Sequence, residues 1–323
     1  MTGEALRSRL HKRAQILELT REFFRTREVT EVSTPALSVA ATTDPALHSL
    51  SCDVGALGGR HYLHTSPEFA MKRLLAAGSG DIWQLARVFR DGEIGRWHQP
   101  EFLLLEWYRI GFNEKTLMDE VFALLQMLAG ASDRKLSRLD TSYGQAFSDA
   151  FGIDPHKLDQ AGRQLLVGAL QSANTDVPTG LTDDGLLDLA LSAAIVPSWP
   201  PETAIFLYDY PATQAALAAI KPGNPQVAAR FEVFINGLEL GNGFRELTDA
   251  EEQRQRFAAE LAQRESLGLE PAPVDHEFLA ALESGLPDCA GVAVGIDRLM
   301  AFLNGDDTLA AAIEWPHQKL TQD

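Results

Sequence analysis

Cysteine is nearly absent from this chain: Cys52 and Cys289 are the only two in 323 residues, and they show no CxxC spacing. That excludes a disulfide framework and points to a reducing compartment. Positive charge is scarce too. Against 28 lysines and arginines stand 45 aspartates and glutamates, a formal net charge of −17. Sequence-independent binding to nucleic acid depends on neutralising phosphates and is therefore disfavoured, although a local basic groove is not. Long apolar runs are also missing. The longest, around Leu186 to Val196, is broken by Asp188 and Ser192 and is too short to span a bilayer. The chain opens Met1-Thr2-Gly3-Glu4, without the apolar core of a signal peptide. Nor is there a Walker-type loop, a dinucleotide fingerprint or an HExxH motif. These absences leave a cytoplasmic protein with none of the commonest nucleotide or zinc signatures.

What is present is enough apolar residue, 45% of the chain, to bury a full core. Ile16, Leu17, Leu19, Phe23 and Phe24 predict an amphipathic helix from about Leu6 to Arg27, then a strand at 29–32 stopped by Thr34-Pro35. Ser66-Pro67-Glu68 reads as a helix start and Gly78 as its stop. Strands are predicted at 82–90 and 102–108, joined by a polar loop, and a helix at 116–128. Residues 130–200 read as a polar middle with helices around 143–151, 160–170 and 186–195. A strand at 205–210 precedes a hairpin, 231–235 and 238–241, with Asn236-Gly237 as a strong two-residue turn signal. A charged helix at 250–263 and a buried strand at 292–296, running into a helix from Asp297, complete the pattern. With no repeat and no dividing linker, the expectation is one α+β domain over residues 1–323, an antiparallel sheet flanked by helices.

Three segments concentrate chemistry. In the hairpin, the turn places Glu232 and Glu239 on one face as diagonal neighbours, roughly 7–8 Å apart. Phe231, Val233, Ile235, Leu238 and Leu240 take the other face. Two acids so placed are either solvated or a magnesium site built from oxygen ligands, and the hairpin alone does not choose. In the strand predicted at 102–108, Phe102, Leu104, Glu106 and Tyr108 share a face opposite Leu103, Leu105 and Trp107, which suits a pocket floor. Arg90 ends the neighbouring strand, where its fork either meets a phosphate or faces solvent. Arg298 follows the run Gly291-Val292-Ala293-Val294-Gly295-Ile296-Asp297, whose small residues permit close approach of backbone or ligand. On the residues alone, Asp297 could be no more than a helix cap, and Glu68 no more than a complement to a helix dipole.

Taken together and in this order, these segments resemble the catalytic core of the class II aminoacyl-tRNA synthetases, most closely the lysyl enzymes. Thr34-Pro35 is similar to the first class motif. Phe89-Arg90-Asp91-Gly92-Glu93, through His98-Gln99-Pro100-Glu101-Phe102 to Tyr108, is similar to the second, and Gly295-Ile296-Asp297-Arg298 to the third. Ser66-Pro67-Glu68 with Met71-Lys72-Arg73-Leu74, and Glu239-Leu240-Gly241-Asn242-Gly243-Phe244 with Glu246, resemble the lysine-specific segments. The resemblance runs from about Leu6 to Leu303. Because the core starts almost at residue 1, no anticodon-binding OB domain is expected. The chain looks like the stand-alone branch, the elongation factor P (R)-β-lysine ligases. That branch implies ATP-dependent activation of (R)-β-lysine or lysine, transfer to a lysine side chain of elongation factor P, no tRNA partner and a homodimer built through the first motif.

Residue by residue, the resemblance implies two catalytic arginines. Arg90 would bind the α-phosphate and the amino acid's carboxylate. Arg298 would cover the adenine opposite Phe102 and touch phosphate. His98 would reach the triphosphate, with Gln99 beside it in the ATP site; Glu232 and Glu239 would carry Mg2+. Glu68 would meet the backbone-type ammonium, Asn242 the carboxylate, and Glu246 with Tyr108 the distal ammonium. Glu106 would share that pocket and Phe244 would line the aliphatic stem. Several positions depart from the lysyl-tRNA synthetase pattern: Gly92 takes the glutamate place of Arg-x-Glu, Gln99 replaces asparagine, and Arg245 replaces a small residue. Ser66 and Ala293 replace alanine and glycine, and imply a pocket moved from α- to β-lysine, one methyl discriminating by roughly 1–3 kcal/mol. The rival readings are a minimal lysyl-tRNA synthetase-like enzyme, a small-molecule amide synthetase on the same core, and an inactive synthetase serving as a binding module.

Overall fold

In a computed structural model that describes residues 3–224, 226–314 and 316–317, the amphipathic N-terminal segment is helical over Gly3–Arg25 (α1). Its apolar stripe, Ile16, Phe23 and Phe24, is buried. The strands Thr30–Glu31 (β1), Leu37–Ser38 (β2), Ser51–Asp53 (β3) and Arg60–Leu63 (β4) follow, then the helix Glu68–Ala76 (α2) and the long strands Ile82–Phe89 (β5) and Glu101–Ile110 (β6). Gly78, with φ of 87°, takes the left-handed conformation just beyond α2 and explains its stop. Phe24 stacks on Trp83 of β5 at 4.8 Å and meets Trp107 of β6 edge-on at 5.3 Å. Because side chains alternate along a strand, seating Trp107 under α1 sends Glu106 and Tyr108 to the opposite face. That one packing choice positions the first part of the candidate site.

Residues 112–247 form a second compact unit that interrupts the first in sequence; the first comprises residues 1–111 and 248–323. The second unit contains Glu114–Gly130 (α3), Ser137–Ser142 (β7), Tyr143–Phe151 (α4), Gln160–Ser172 (α5), Asp183–Ala190 (α6), Thr203–Pro211 (β8), Val227–Ile235 (β9) and Leu238–Arg245 (β10). Side-chain caps start its helices: Asn113 accepts from Thr116 N–H, Ser142 from Gln145 N–H, Asp159 from Gly162 N–H and Thr182 from Gly185 N–H. Its strands run β10-β9-β8-β7, antiparallel except for the parallel pair β7–β8. Helices α4 to α6 pack on the face of β8 and β9 that carries Ile205, Leu207 and Phe234, around the fully buried Phe147. Truncating Phe147 to alanine there would cost about 3–5 kcal/mol. Strand β7 lies inside the segment expected to be helical and loop-like. It is an edge strand whose Arg138 and Asp140 pair with each other in solvent, so it carries no apolar alternation to read.

The chain returns to the first unit with Ala250–Ser266 (α7), His276–Gly285 (α8), Cys289–Gly295 (β11) and Ile296–Asn304 (α9). There the order is β1-β5-β6-β11, with β1 parallel to β5 and the other pairs antiparallel. The small strands β2, β4 and β3 form a separate antiparallel sheet. No helix among the described residues is long and apolar enough to cross a membrane.

Candidate active site

Strand β6 sits between β5 and β11, and its register fixes the surroundings of its polar face. Glu106 lies opposite Gln84 on one side and Ala293 on the other; Tyr108 lies opposite Gly291, and Leu104 opposite Gly295. Small residues on β11 therefore flank the two polar groups. Glu106 is buried, and both its oxygens are held by hydroxyls. Ser66 donates to Oε2 at 2.7 Å and Tyr108 to Oε1 at 2.6 Å. Ser66 Oγ also accepts the Glu68 N–H at 3.0 Å, which ties the first residue of α2 to the same cluster, although the N-cap position is Pro67 and not the serine. One turn later Lys72, only 1% exposed, gives its ammonium to Glu68 Oε1 at 2.6 Å. Burial above all, then the neighbouring Glu68, pushes the Glu106 carboxyl up to about 7, against the opposing pull of Ser66, Tyr108 and Lys72. Two carboxyls share one ammonium here. A second cation entering the cluster would favour the ionised form of Glu106.

The loop between β5 and β6 carries the phosphate-type groups. Arg90 N–H donates to Pro100 O at 2.9 Å, closing the loop, and its guanidinium lies 5.0 Å from the Phe102 ring centroid. Gly92 has φ of 77°, a region that strains any side chain with a Cβ, which explains why the glutamate of the usual pattern is absent. Glu93 instead reaches Arg90 at 3.7 Å. Arg298, in the first turn of α9, donates to Trp97 O at 3.2 Å and to His98 Nε2 at 2.8 Å. A guanidinium has no acceptor, so His98 must offer a bare Nε2 and is neutral in this arrangement. Burial first, then Arg298, lowers the His98 pKa; Arg90 lowers it too and Glu93 opposes. Both guanidiniums thus bear on one imidazole. Gln99 is buried, and its Oε1 accepts the main-chain N–H of His317 at 2.8 Å.

Asp297 corrects an expectation. It does not cap α9, whose N-cap Gly295 has no side-chain bond. Its Oδ2 accepts the Leu103 N–H at 2.7 Å and its Oδ1 lies 2.7 Å from the buried Arg13 of α1. The pair ties the start of α9, and hence Arg298, to the backbone beside Phe102. Sequence reasoning missed Arg13 altogether. The available signal was its place on the buried stripe of α1, with Ile16, Thr20 and Phe24.

In the second unit, Asn236 and Gly237 both have positive φ, 53° and 74°, as a tight hairpin turn requires. Leu238 pairs with Ile235 and Glu239 with Phe234, so Glu239 shares a face with Glu232 as expected. A bulge between Glu239 and Gly241 then changes the register. Asn242 pairs with Glu232 and Phe244 with Arg230. Without it Asn242 would point to the opposite face from Glu239; with it, both join Glu232. Arg230, half hidden from sequence reading as one more charge, donates to Glu232 Oε1 at 2.5 Å, to Asn242 Oδ1 at 3.3 Å and to Gln214 O at 2.5 Å. Its guanidinium lies 4.5 Å from the Tyr210 ring centroid. Burial pulls its pKa down, but Glu232 and Tyr210 carry it net upward, so it is fully cationic. Phe244 packs beside Ala215, Ala218 and Ala228, and Glu246 is buried next to a bridge with Ala218.

The structure therefore gathers Ser66, Glu68, Glu106, Tyr108 and Ala293 into one cluster, Arg90 with Phe102, and His98 with Arg298. In the second unit it gathers Glu232 and Asn242 around Arg230. Among the described residues no group of three or more His, Cys, Asp or Glu side chains is arranged to hold a metal. Comparison with known proteins follows the same lines. The family model of the class II tRNA synthetases (D, K and N) matches residues 1–319. A Vibrio cholerae protein named elongation factor P–(R)-β-lysine ligase is 47% identical over 316 residues, 96% of this chain and 95% of its own length. Proteins of that name from Pectobacterium atrosepticum and Proteus mirabilis are 46% and 44% identical. The first match covers 90% of this chain and 89% of the relative, the second 95% and 94%.

Proposed function

We propose that this chain, which belongs to the class II tRNA synthetases (D, K and N), adenylates (R)-β-lysine with ATP and transfers it to a lysine side chain of elongation factor P. The observation that carries this reading is the Glu106 cluster, where a buried carboxyl held only by two hydroxyls lies beside the partly buried Glu68, which takes the ammonium of Lys72. Such a pocket is short of positive charge and suits an amine-bearing substrate. The names of the relatives support the choice of substrate and acceptor.

In the first step a carboxylate oxygen of the amino acid attacks the α-phosphorus of ATP while the bond to pyrophosphate breaks. Arg90 supplies positive charge and a planar fork for that phosphate, and Phe102, already within reach of Arg90, offers a flat surface for adenine. Arg298 and His98 would serve the rest of the nucleotide. In the second step the acceptor's lysine amine, having lost a proton, attacks the acyl carbon. The carbon–oxygen bond to phosphate breaks, AMP leaves and an amide forms. The donor set fits magnesium: Glu232 and Glu239 share a face and offer only oxygen, and Arg230 holds Glu232 through Oε1. When bound, the ion would offset phosphate charge. Within this reading the chain is one catalytic domain, acts without tRNA and works as a homodimer in the cytoplasm.

The test is pyrophosphate–ATP exchange dependent on (R)-β-lysine, followed by mass spectrometry of elongation factor P incubated with the protein, ATP and each lysine isomer. Exchange that persists unchanged in Arg90→Ala would sink the adenylation assignment. Labelled lysine appearing on tRNA, with the elongation factor unmodified, would favour the minimal synthetase.

A further inference from the structure

We infer that Arg230 is a positioning residue that dictates which way the Asn242 amide faces and pins Glu232 in the same stroke. The inference rests on the functional reading only for the identity of the group that Asn242 receives.

The chemistry is one-sided. A guanidinium has five donors and no acceptor, so an asparagine beside it must present its oxygen. Arg230 Nε donates to Asn242 Oδ1 at 3.3 Å, which leaves the amide N–H2 directed elsewhere as a pair of donors. A carboxylate, which only accepts, is the group such an amide suits. Had a carboxylate occupied position 230, the amide would be turned the other way and would repel a substrate carboxylate.

Arg230 is itself well fixed. Its three nitrogens go to three different partners: Nη1 to Gln214 O, Nη2 to Glu232 Oε1 and Nε to Asn242 Oδ1. Tyr210 lies under its plane. The bulge after Glu239 is what brings Asn242 opposite Glu232 and so within reach of the same guanidinium. Lysine at this position keeps the charge but has one nitrogen, without the planar fork that reaches all three partners.

The experiment compares Arg230→Lys with the wild type by pyrophosphate exchange, with (R)-β-lysine and its α isomer, alongside Asn242→Ala and the double variant. Arg230→Lys should raise the KM for the amino acid about tenfold and leave the thermal midpoint within a few degrees. In the Asn242→Ala background the same change should have no further effect on the amino-acid KM, because the group it acts through is gone. Arg230→Gln, neutral but able to donate, should behave like Arg230→Lys toward the amino acid. A folded Arg230→Lys with unchanged amino-acid KM would overturn the inference alone. So would an equal loss in both backgrounds. No exchange by the wild type with either isomer would sink the functional reading and this inference with it.

Discussion

Glu106 in the first unit and Glu232 in the second are both buried carboxyls, but their donors differ in kind. Glu232 meets a guanidinium at 2.5 Å; Glu106 meets two hydroxyls, at 2.7 and 2.6 Å, while the nearby ammonium of Lys72 goes to Glu68. A guanidinium orients a carboxylate and neutralises it together. Hydroxyls orient it without supplying charge, so burial drives Glu106 to take a proton near neutral pH. The first arrangement stays receptive to an incoming ammonium. The Glu232 arrangement already has an internal cation on Oε1, which holds the carboxylate ionised and in place.

The largest expected effect breaks the charge balance of the first unit. Lys72→Met leaves Glu68 without its cation beside the buried Glu106 and should cost about 3 kcal/mol in urea unfolding at pH 8. It should cost much less at pH 5, where Glu106 is protonated. A loss below about 1 kcal/mol at pH 8 would show that Lys72 does not balance this cluster.

Next comes pH. The Glu106 pKa is raised from 4.5 to about 7, so its folded form holds the proton more tightly than the unfolded chain. That stabilisation is fully present below about 4.5 and is lost as pH rises through about 7. The stability of the wild type relative to Glu106→Gln should therefore fall by the order of 3 kcal/mol between those limits. Urea midpoints across the interval measure it. Activity should run the opposite way, because ionising Glu106 strengthens its attraction for a substrate ammonium. The KM for the amino acid should fall as pH rises through about 7, and Glu106→Gln should flatten that dependence.

Smaller effects sharpen the difference between hydroxyl and guanidinium donors. Tyr108→Phe removes one donor from a buried carboxyl, and should lose about 1–3 kcal/mol at pH 8 and move the Glu106 transition upward. Ser66→Ala removes a donor to Glu106 and the acceptor of Glu68 N–H together. It should lose about 1 kcal/mol and move the same transition in the same direction, as measured by the pH dependence of unfolding.

How much of this was legible before folding varies with the range of the interaction. The Asn236-Gly237 turn fixes the pairing of Leu238 with Ile235, and with it the shared face of Glu232 and Glu239. The alternation of β6 likewise separates Trp107 from Glu106. Strand β7 was not legible, because an edge strand with solvated charges has no alternating apolar face. The bulge was not legible either. It is a decision about pairing, and nothing in Glu239-Leu240-Gly241 requires it. The links from Arg13 to Asp297 and from His317 to Gln99 join residues more than two hundred positions apart.

By itself the order of residues determined the turns, the buried faces of the long strands and the membership of the family, since these rest on local conformation and motif spacing. Tertiary structure alone decided which acids share a cation, which way Asn242 faces and where Asp297 spends its carboxylate. Those outcomes depend on distances between groups remote in sequence and on the loss of water around them. Neither is encoded in any short stretch of chain.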